Sequence, residues 1–307
     1  MQRYIIKRLF IGLLTVFTTV TIVFILTRGF GPADPTAIML PPDAVPEMRE
    51  QLRKKFGLDK PLWEQYILYV KNAIQGDFGE SFRYSEPVLD IVVSRIPATL
   101  QITLSALGVA IFFGMLMGIV SAVKKDRLFD RGGRLIALIG MAVPEFAVAL
   151  FLMLFFGVML GWLPISGRGG IEHMILPVVS MSLVGIAQLM RLSRSSMIEV
   201  LNSDYIVMAR IKGVPDRFVI LVHALKNACI PVITIIGLIV PALFTGSVVI
   251  ETIFSWPGIG NLVMTSIFAR DYPVVQLIVI LVSTLFVISN LIVDIVYAYV
   301  DPRIRYQ

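Results

Sequence analysis

The sequence predicts an all-helical polytopic membrane protein, and three observations carry this prediction. Hydrophobic residues make up 57% of the 307 residues and charged residues only 16%, whereas soluble domains hold about 45–50% and about 25%. The mean hydropathy is +0.83. Six apolar segments reach the roughly 20 residues that a helix needs to cross a bilayer. These predicted transmembrane helices are residues 9–27, 98–123, 135–163, 174–190, 230–250 and 274–299.

The hydropathy pattern predicts four regions. Residues 1–29 form a cytoplasmic or interfacial start with the first span, and residues 30–96 form an extracytoplasmic helical cap. Residues 97–300 form the membrane core, with a cytoplasmic loop at 191–229, and residues 301–307 form a cytoplasmic tail. The first span is predicted to be retained, because its apolar run exceeds the roughly 7–15 residues of a signal-peptide core.

The cap between the first two spans is predicted to be ordered. Residues 46–56 and 61–74 are helix-like, with glycines and Pro87 as breaks between elements. Its aromatic residues either pack the cap onto the membrane bundle or contact the membrane surface or a partner, and the sequence leaves both alternatives open. These residues are Trp63, Tyr66, Tyr69 and Phe78.

The distribution of Lys and Arg predicts the orientation. Sixteen of them lie in the N-terminal start, the 124–134 loop, the 191–229 loop and the tail, against only Arg168 and Arg270 in the two short loops of the other face. Short loops rich in Lys and Arg stay in the cytoplasm, whereas long connections cross largely regardless of charge. Both termini and the 191–229 loop are therefore predicted to be cytoplasmic.

Within that loop, the pattern predicts a helix, a sharp bend and a second helix. Asp204 suits an N-cap and residues 205–212 suit a short helix. Gly213 suits the left-handed position that ends a helix, and Pro215 suits the first position of the next one. The apolar ridge of the short helix, with Met208 among its residues, then needs a surface to cover it. That surface is either the lipid interface or another protein.

Motifs along nearly the whole chain carry a family resemblance. The loop begins RLSRSSMIEVL at residues 191–201 and continues with Asp204-Tyr205 and Lys212-Gly213. FGLDKPLWEQY and GDFGESF occur in the cap, and ETIFSWPGIGNL, RDYPVVQ and NLIVDIVYAYVDPR follow later. Together they resemble the oligopeptide/dipeptide/nickel family of ABC-importer permeases. The loop resembles that family's cytoplasmic EAA motif, although the Glu of the general pattern is absent at residues 207–209.

This resemblance implies a type I importer (MetI-like) permease fold in the plasma membrane of a bacterium or archaeon. It also implies four kinds of partner: a second homologous permease, two cytoplasmic ATPase subunits, an extracytoplasmic solute-binding protein and the lipid bilayer. The short helix of the loop would couple the chain to the ATPase. The expected coupling residues are Tyr205, Met208, Ala209, Arg210, Lys212 and Gly213.

The chain itself is not expected to be an enzyme. No G-x-x-x-x-G-K-[ST] phosphate loop occurs in it, so ATP and Mg²⁺ are expected in the partner ATPase subunits, with no cofactor or metal bound here. His173 and His223 lie far apart on opposite predicted faces and form no catalytic pair. No nucleic-acid partner is expected.

Several residues in the spans are candidates for the transport path. Glu145 is either a path-lining acid or a packing residue beside Pro144. A span interrupted by Pro and Gly tends to line a cavity, which adds Pro241, Thr245, Gly246 and Ser247. Glu251 and Trp256 are expected at an outer gate or docking edge, Asn290 and Asp294 in a structural polar clamp, and Gly114 and Gly118 in internal helix packing.

The resemblance favours an ATP-driven importer permease for peptides or similar small solutes. The alternative is a self-contained secondary carrier or channel, which would need its own coupling residues or inverted repeats. The sequence shows neither feature. It also does not identify the solute among dipeptides, oligopeptides, nickel and glutathione-like compounds, since selectivity in such systems is largely set by the binding protein.

Overall fold

The computed structural model describes residues 2–29, 40 and 45–300, with side chains for 6–29, 40 and 45–292. Within this part the secondary structure is helical, apart from one isolated bridge between Glu80 and Pro87. This confirms the all-helical prediction. The α-helices of the described residues are α1 (Gln2–Phe24), α2 (Pro46–Lys55), α3 (Leu62–Ile74), α4 (Val88–Val123), α5 (Leu128–Ala142), α6 (Glu145–Leu152), α7 (Ile171–Leu201), α8 (Asp204–Ile211), α9 (Asp216–Phe218), α10 (Leu225–Ile253), α11 (Ile259–Phe268) and α12 (Tyr272–Val300).

Five helical segments of the described chain are long and apolar enough to cross a membrane. They are Ile6–Gly29, Val88–Val123, Ile171–Leu201, Asp216–Ile253 and Tyr272–Ile292. Each overlaps a predicted span and extends beyond one or both of its ends. At the 191–229 loop this extension is large, because α7 continues to residue 201 and α10 begins at residue 225. The irregular part of the loop is correspondingly short.

The predicted third span, residues 135–163, is not one continuous helix in the structure but a bent pair of helices. Leu128–Ala142 and Glu145–Met159 are both apolar but meet at an angle of 104°. Val143 between them is extended, with φ −92° and ψ 124°. The cause is Pro144, which lacks an N–H to donate and disfavours the helical conformation of the residue before it.

The chain divides into two compact units, here called the cap unit and the core unit. The cap unit comprises residues 2–98 and 257–288, and the core unit comprises residues 99–256 with the end of α12 from residue 289. An apolar cluster holds the cap unit together, with residues from α4, α11 and α12. Its buried members are Val88, Ile91, Val92, Ile259, Leu262, Val274, Leu277 and Ile278.

The cap helices described here agree with the predicted stretches 46–56 and 61–74 to within one residue at each end. Phe24 at the end of α1 packs against Tyr66 and Tyr69 of α3, with ring centroids 5.2 and 5.5 Å apart. Packing is therefore the role of these two tyrosines within the cap unit. Trp63 on the same helix is 63% exposed, so its predicted alternative contact with a membrane surface or partner stays a prediction.

A buried carboxylate that the sequence did not reveal ties the loop after the cap helices to the start of α12. Asp271 is fully buried. Its side chain accepts a hydrogen bond from Ser81 Oγ at 2.5 Å and another from the Phe82 backbone N–H at 3.0 Å. Because a buried charge is costly unless it is hydrogen-bonded, these donors keep the loop in place within the cap unit.

In the core unit, α4 and α7 approach each other closely at two glycines. A Cβ built on Gly114 would lie 2.7 Å from Leu189 Cβ, and one built on Gly118 would lie 2.7 Å from the Met190 carbonyl oxygen. Such distances leave no room for a side chain. The predicted internal packing role of these glycines is therefore confirmed, and the small-xxx-small pattern serves α7 of the same chain.

We expect Gly118→Ala to destabilise the protein by about 1–3 kcal/mol, the usual cost of overpacking a close contact. Gly108 on the same helix has nothing within 4 Å of a built Cβ, so Gly108→Ala is the matched control and should cause no loss. Thermal unfolding of the two purified variants in detergent checks this. Equal melting temperatures would contradict the close packing of α4 on α7.

Candidate functional site

The residues between α7 and α10 form a bent helical connection, here called the elbow (residues 202–224). Its first helix, α8, begins at Asp204 and not one residue later as predicted. Ser203 occupies the N-cap position with extended backbone, and its hydroxyl donates to the Val200 carbonyl at 2.5 Å, so it does not cap α8. Asp204 is thus not the N-cap. In the first turn its carboxylate still interacts favourably with the helix dipole.

The end of α8 is fixed by a Schellman motif. Gly213 has φ +80°, the left-handed conformation predicted for it. Its N–H donates to the Arg210 carbonyl at 2.9 Å, and the Val214 N–H donates to the Ala209 carbonyl at 3.2 Å. These two bonds define the motif and satisfy carbonyls that a helix end otherwise leaves free. The bend is therefore a defined structure and not a loose connection.

The second part of the elbow starts one residue later than predicted. Pro215 is the N-cap of the short helix α9 and not its first residue. A π-helical turn, Val219–Ala224, then leads into α10. Arg210 Nε lies 3.3 Å from Asp216 Oδ1 and so links the two arms of the bend.

One residue of α8 anchors this helix to its neighbours within the core unit. Ile206 is completely buried and packs in an apolar cluster with Met197 of α7 and Val219 of the π-helical turn. Beside it, Asn227 Nδ2 donates to the Tyr205 hydroxyl at 2.7 Å. Burying an Ile side chain contributes roughly 1.5–3 kcal/mol. The elbow is thus held on its inner face by apolar contact and by a polar link to α10.

The opposite face of α8 is an exposed apolar surface with a basic end. We call it the elbow ridge and define it by Tyr205, Val207, Met208 and Ile211. Their exposure ranges from 46% for Tyr205 to 74% for Ile211. Arg210 and Lys212 are also exposed, and Ala209 is partly buried. The structure therefore brings the predicted coupling residues together on one short helix and its C-terminal cap, Lys212 and Gly213. Their contact with an ATPase stays a prediction.

A buried ion pair, which the sequence did not reveal, involves α7, the helix that leads into the elbow. Asp130, at the start of α5, is fully buried. Arg194 of α7 forms a two-pronged pair with it, from Nε at 2.5 Å and Nη2 at 2.8 Å. Ser121 Oγ donates at 2.5 Å, and the Asp126 N–H donates at 2.9 Å. The pair ties α5 to the helix that carries the elbow. The only sequence signal was the occurrence of acidic residues, Asp126 and Asp130, in the basic 124–134 region.

Two of the predicted path residues meet in the core unit. A Cβ built on Gly246 would lie 2.8 Å from Glu145 Oε2, so the Glu145 carboxylate rests against the backbone of α10. This position follows from the break at Pro144, which makes Glu145 the first residue of α6. A small residue at 246 is required for the approach.

The other predicted path residues of α10 differ in their surroundings. Pro241 and Ser247 are buried, whereas Thr245 is exposed. The Ser247 hydroxyl donates to the Phe244 carbonyl at 2.9 Å, and the Thr245 hydroxyl donates to the Pro241 carbonyl at 3.2 Å. The path assignment of all five residues stays a prediction.

The predicted polar clamp on α12 is only partly described. Asn290 lies on that helix, but the side chain of Asp294 lies outside the described residues. The clamp stays a prediction. Among the described residues, no group of three or more His, Cys, Asp or Glu side chains is placed to hold a metal ion.

Glu251 and Trp256 are completely buried, so they do not form the docking edge that was one of their two predicted roles. Their alternative role at an outer gate stays a prediction. Thr99 Oγ1 donates to Glu251 Oε1 at 2.7 Å, and the Trp256 N–H donates to the Glu251 carbonyl at 2.8 Å. The Arg168 guanidinium lies 5.9 Å from the centre of the Trp256 ring. These contacts close the end of α10 within the core unit.

Comparison with known proteins covers the whole chain. Residues 110–306 match the family described as binding-protein-dependent transport system inner membrane component, and residues 1–103 match the corresponding N-terminal family. The chain is 41% identical over 307 residues to the glutathione transport system permease protein GsiC of Escherichia coli (strain K12), with 100% of both chains covered. The same values hold for GsiC of Shigella flexneri serotype 5b (strain 8401).

A solved structure shares the fold. A chain of the MetNI methionine ABC transporter, solved in inward-facing conformations, aligns with a TM-score of 0.54 and 17% identity. The alignment covers 69% of this chain and 99% of that one. This likeness confirms the predicted MetI-like permease fold.

We expect Asp130→Leu to cost about 3–5 kcal/mol, because it leaves the largely buried Arg194 guanidinium without its counter-ion. The double variant Asp130→Leu/Arg194→Met replaces both charges by apolar groups and should recover most of that loss. Unfolding of the purified variants in detergent measures the loss of stability in the single variant and its recovery in the double variant. A double variant that is no more stable than the single one would contradict the pairing.

Proposed function

Because the chain belongs to the family of binding-protein-dependent transport system inner membrane components, we propose that it transports peptides or similar small solutes across the membrane. We also propose that separate ATPase subunits drive this transport by acting on the elbow. The chain is the membrane-spanning permease subunit of a binding-protein-dependent importer. Its similarity to permeases named for glutathione, itself a tripeptide, supports a peptide-type solute.

The observation that carries the coupling proposal is the rigid, one-sided construction of α8. Its inner face is held by fully buried Ile206, and its end is held by the Schellman motif at Gly213. Its outer face presents the exposed elbow ridge. A helix held in this way transmits a displacement to the spans on either side, whereas a loose loop would absorb it. A contiguous exposed apolar surface is also typical of a protein interface.

The expected assembly follows from the family and from the distribution of charge. A second permease would complete the translocation path, two cytoplasmic ATPase subunits would bind the elbows, and an extracytoplasmic binding protein would deliver the solute. The bias of Lys and Arg supports cytoplasmic termini and a cytoplasmic elbow. ATP shifts the assembly between inward-facing and outward-facing states only if the ATPase contacts differ in free energy between them.

Reconstitution tests this function. Proteoliposomes that hold this chain, its second permease and the ATPase subunits, supplied with the binding protein, should take up labelled glutathione or a dipeptide only when ATP is present on the ATPase side. Unlabelled competitors of each solute class then rank the solutes. Uptake by the chain alone, without ATPase subunits, would establish the carrier alternative instead.

We expect Gly213→Val to lower ATP-driven uptake by about tenfold or more, because a β-branched residue is strained at φ +80°. Gly213→Asn is the matched control, since Asn tolerates the left-handed conformation. It should keep most of the uptake. In a pull-down, Gly213→Asn should recover more of the ATPase subunits than Gly213→Val.

Equal uptake and equal ATPase association in both Gly213 variants would contradict the role of the bend. Unchanged membrane insertion of both variants, checked by their yield in the membrane fraction, is the control for folding.

A further inference from the structure

The cap unit contains a polar cavity of about 350 Å³ that no transport step described above uses. It is bounded by the end of α1, the cap helices α2 and α3, and the start of α12. Its volume is within the roughly 300–1,000 Å³ of small-molecule sites in proteins. The charged side chains that line it are four basic residues and two carboxylates: Arg28, Lys54, Lys55, Lys60, Asp77 and Glu80. Gln65 and Tyr69 add polar groups.

Arg28 is held against the cavity by local structure. It lies in the π-helical turn Ile25–Gly29 that ends the first span, and single π-helical turns are frequent at functional sites. Gln65 Nε2 donates to the Lys60 carbonyl at 2.8 Å, which directs the Gln65 Oε1 atom to accept from Arg28 Nη1 at 3.3 Å. The guanidinium is therefore oriented before any ligand arrives.

The hydrogen-bonding capacity of Arg28 is left largely unused. Its Nε is buried without a hydrogen-bond partner, and among the described residues no carboxylate pairs with it. The neighbouring Tyr272 hydroxyl is also buried and without a partner. Buried charges in proteins are normally paired, because an isolated one is costly. An unpaired guanidinium that lines a cavity is therefore a candidate partner for an anionic ligand.

The remaining charges leave the cavity cationic. Lys54 pairs with Glu50 at 3.1 Å and Lys55 pairs with Glu80 at 2.7 Å. Asp77 accepts a hydrogen bond from the Gly79 N–H at 2.9 Å. Lys60 makes no ion pair with any residue described here.

Tyr69 adds a further donor on the α3 side of the cavity. Burial raises the pKa of Tyr69 to about 12. At neutral pH its hydroxyl therefore stays protonated and can donate to an anion.

We propose that this cavity binds an oxyanion, a carboxylate or phosphate group, through the guanidinium of Arg28 with Lys60 at the rim. An oxyanion accepts charge-assisted hydrogen bonds from an Arg fork and supplies the counter-charge that the cavity lacks. The group belongs either to a small solute such as a peptide, through its terminal carboxylate, or to the phosphate of a phospholipid headgroup. The cavity requires an oxyanion whichever solute the importer carries.

Calorimetric titration of the full chain, purified in detergent and depleted of lipid, tests the proposal. The probes are inorganic phosphate, dialanine, dialanine amide and dihexanoyl-phosphatidylglycerol. We expect saturable binding of at least one oxyanion probe and no binding of the amide. Arg28→Gln should weaken that binding by about tenfold or more, because a charge-assisted hydrogen bond is lost.

Two exposed lysines of the cap provide a matched pair that leaves the fold intact. Lys60 lines the cavity, whereas Lys71 on α3 does not. Lys60→Gln should weaken binding by about threefold, the effect of one exposed charge, and Lys71→Gln should leave it unchanged. Binding of dialanine assigns the site to a solute carboxylate, and binding of phosphatidylglycerol without dialanine or phosphate assigns it to lipid. The absence of saturable binding, or wild-type binding in both Arg28→Gln and Lys60→Gln, would overturn the proposal.

Discussion

The absence of water from the bilayer core is the constraint on which the rest of this structure depends. Every backbone N–H and C=O there needs a partner within the protein, so the spans are helices. Buried carboxylates follow the same rule. Asp130, Glu251 and Asp271 each accept hydrogen bonds from donors of the same unit. Where a helix ends, as at Gly213, the two backbone hydrogen bonds of the Schellman motif pair carbonyls that would otherwise be left without a donor.

Features set by local sequence were predictable, and features set by distant contacts were not. The apolar runs located the spans, and Gly213 marked the bend, because both follow from side chains within a few residues. The donor of Glu251 lies 152 residues away at Thr99, and the donor of Asp271 lies 190 residues away at Ser81. No local pattern specifies such pairs, and for this reason the sequence did not exclude a docking edge at Glu251, which is buried in the structure.

The prolines show why even a strong local signal needs its surroundings. Pro97, Pro177, Pro231 and Pro241 lie inside continuous helices, whereas Pro144 marks a bend of 104°. The residue is the same, but neighbouring helices and local adjustments can compensate the hydrogen bond that proline loses inside a helix. At Pro144 the helix is interrupted instead. The bend at Pro144 has a local result, since it brings Glu145 to Gly246 in the core unit.

The near contact of α4 and α7 at Gly118 has a consequence for how such a permease changes state. At that crossing the Met190 carbonyl leaves no space for even one methyl group on α4. Two helices that pack this closely resist sliding along each other. A shift along their axes would move larger side chains into the space at the glycines, where no side chain fits. We therefore expect these two helices to move as one rigid body in any change of conformation.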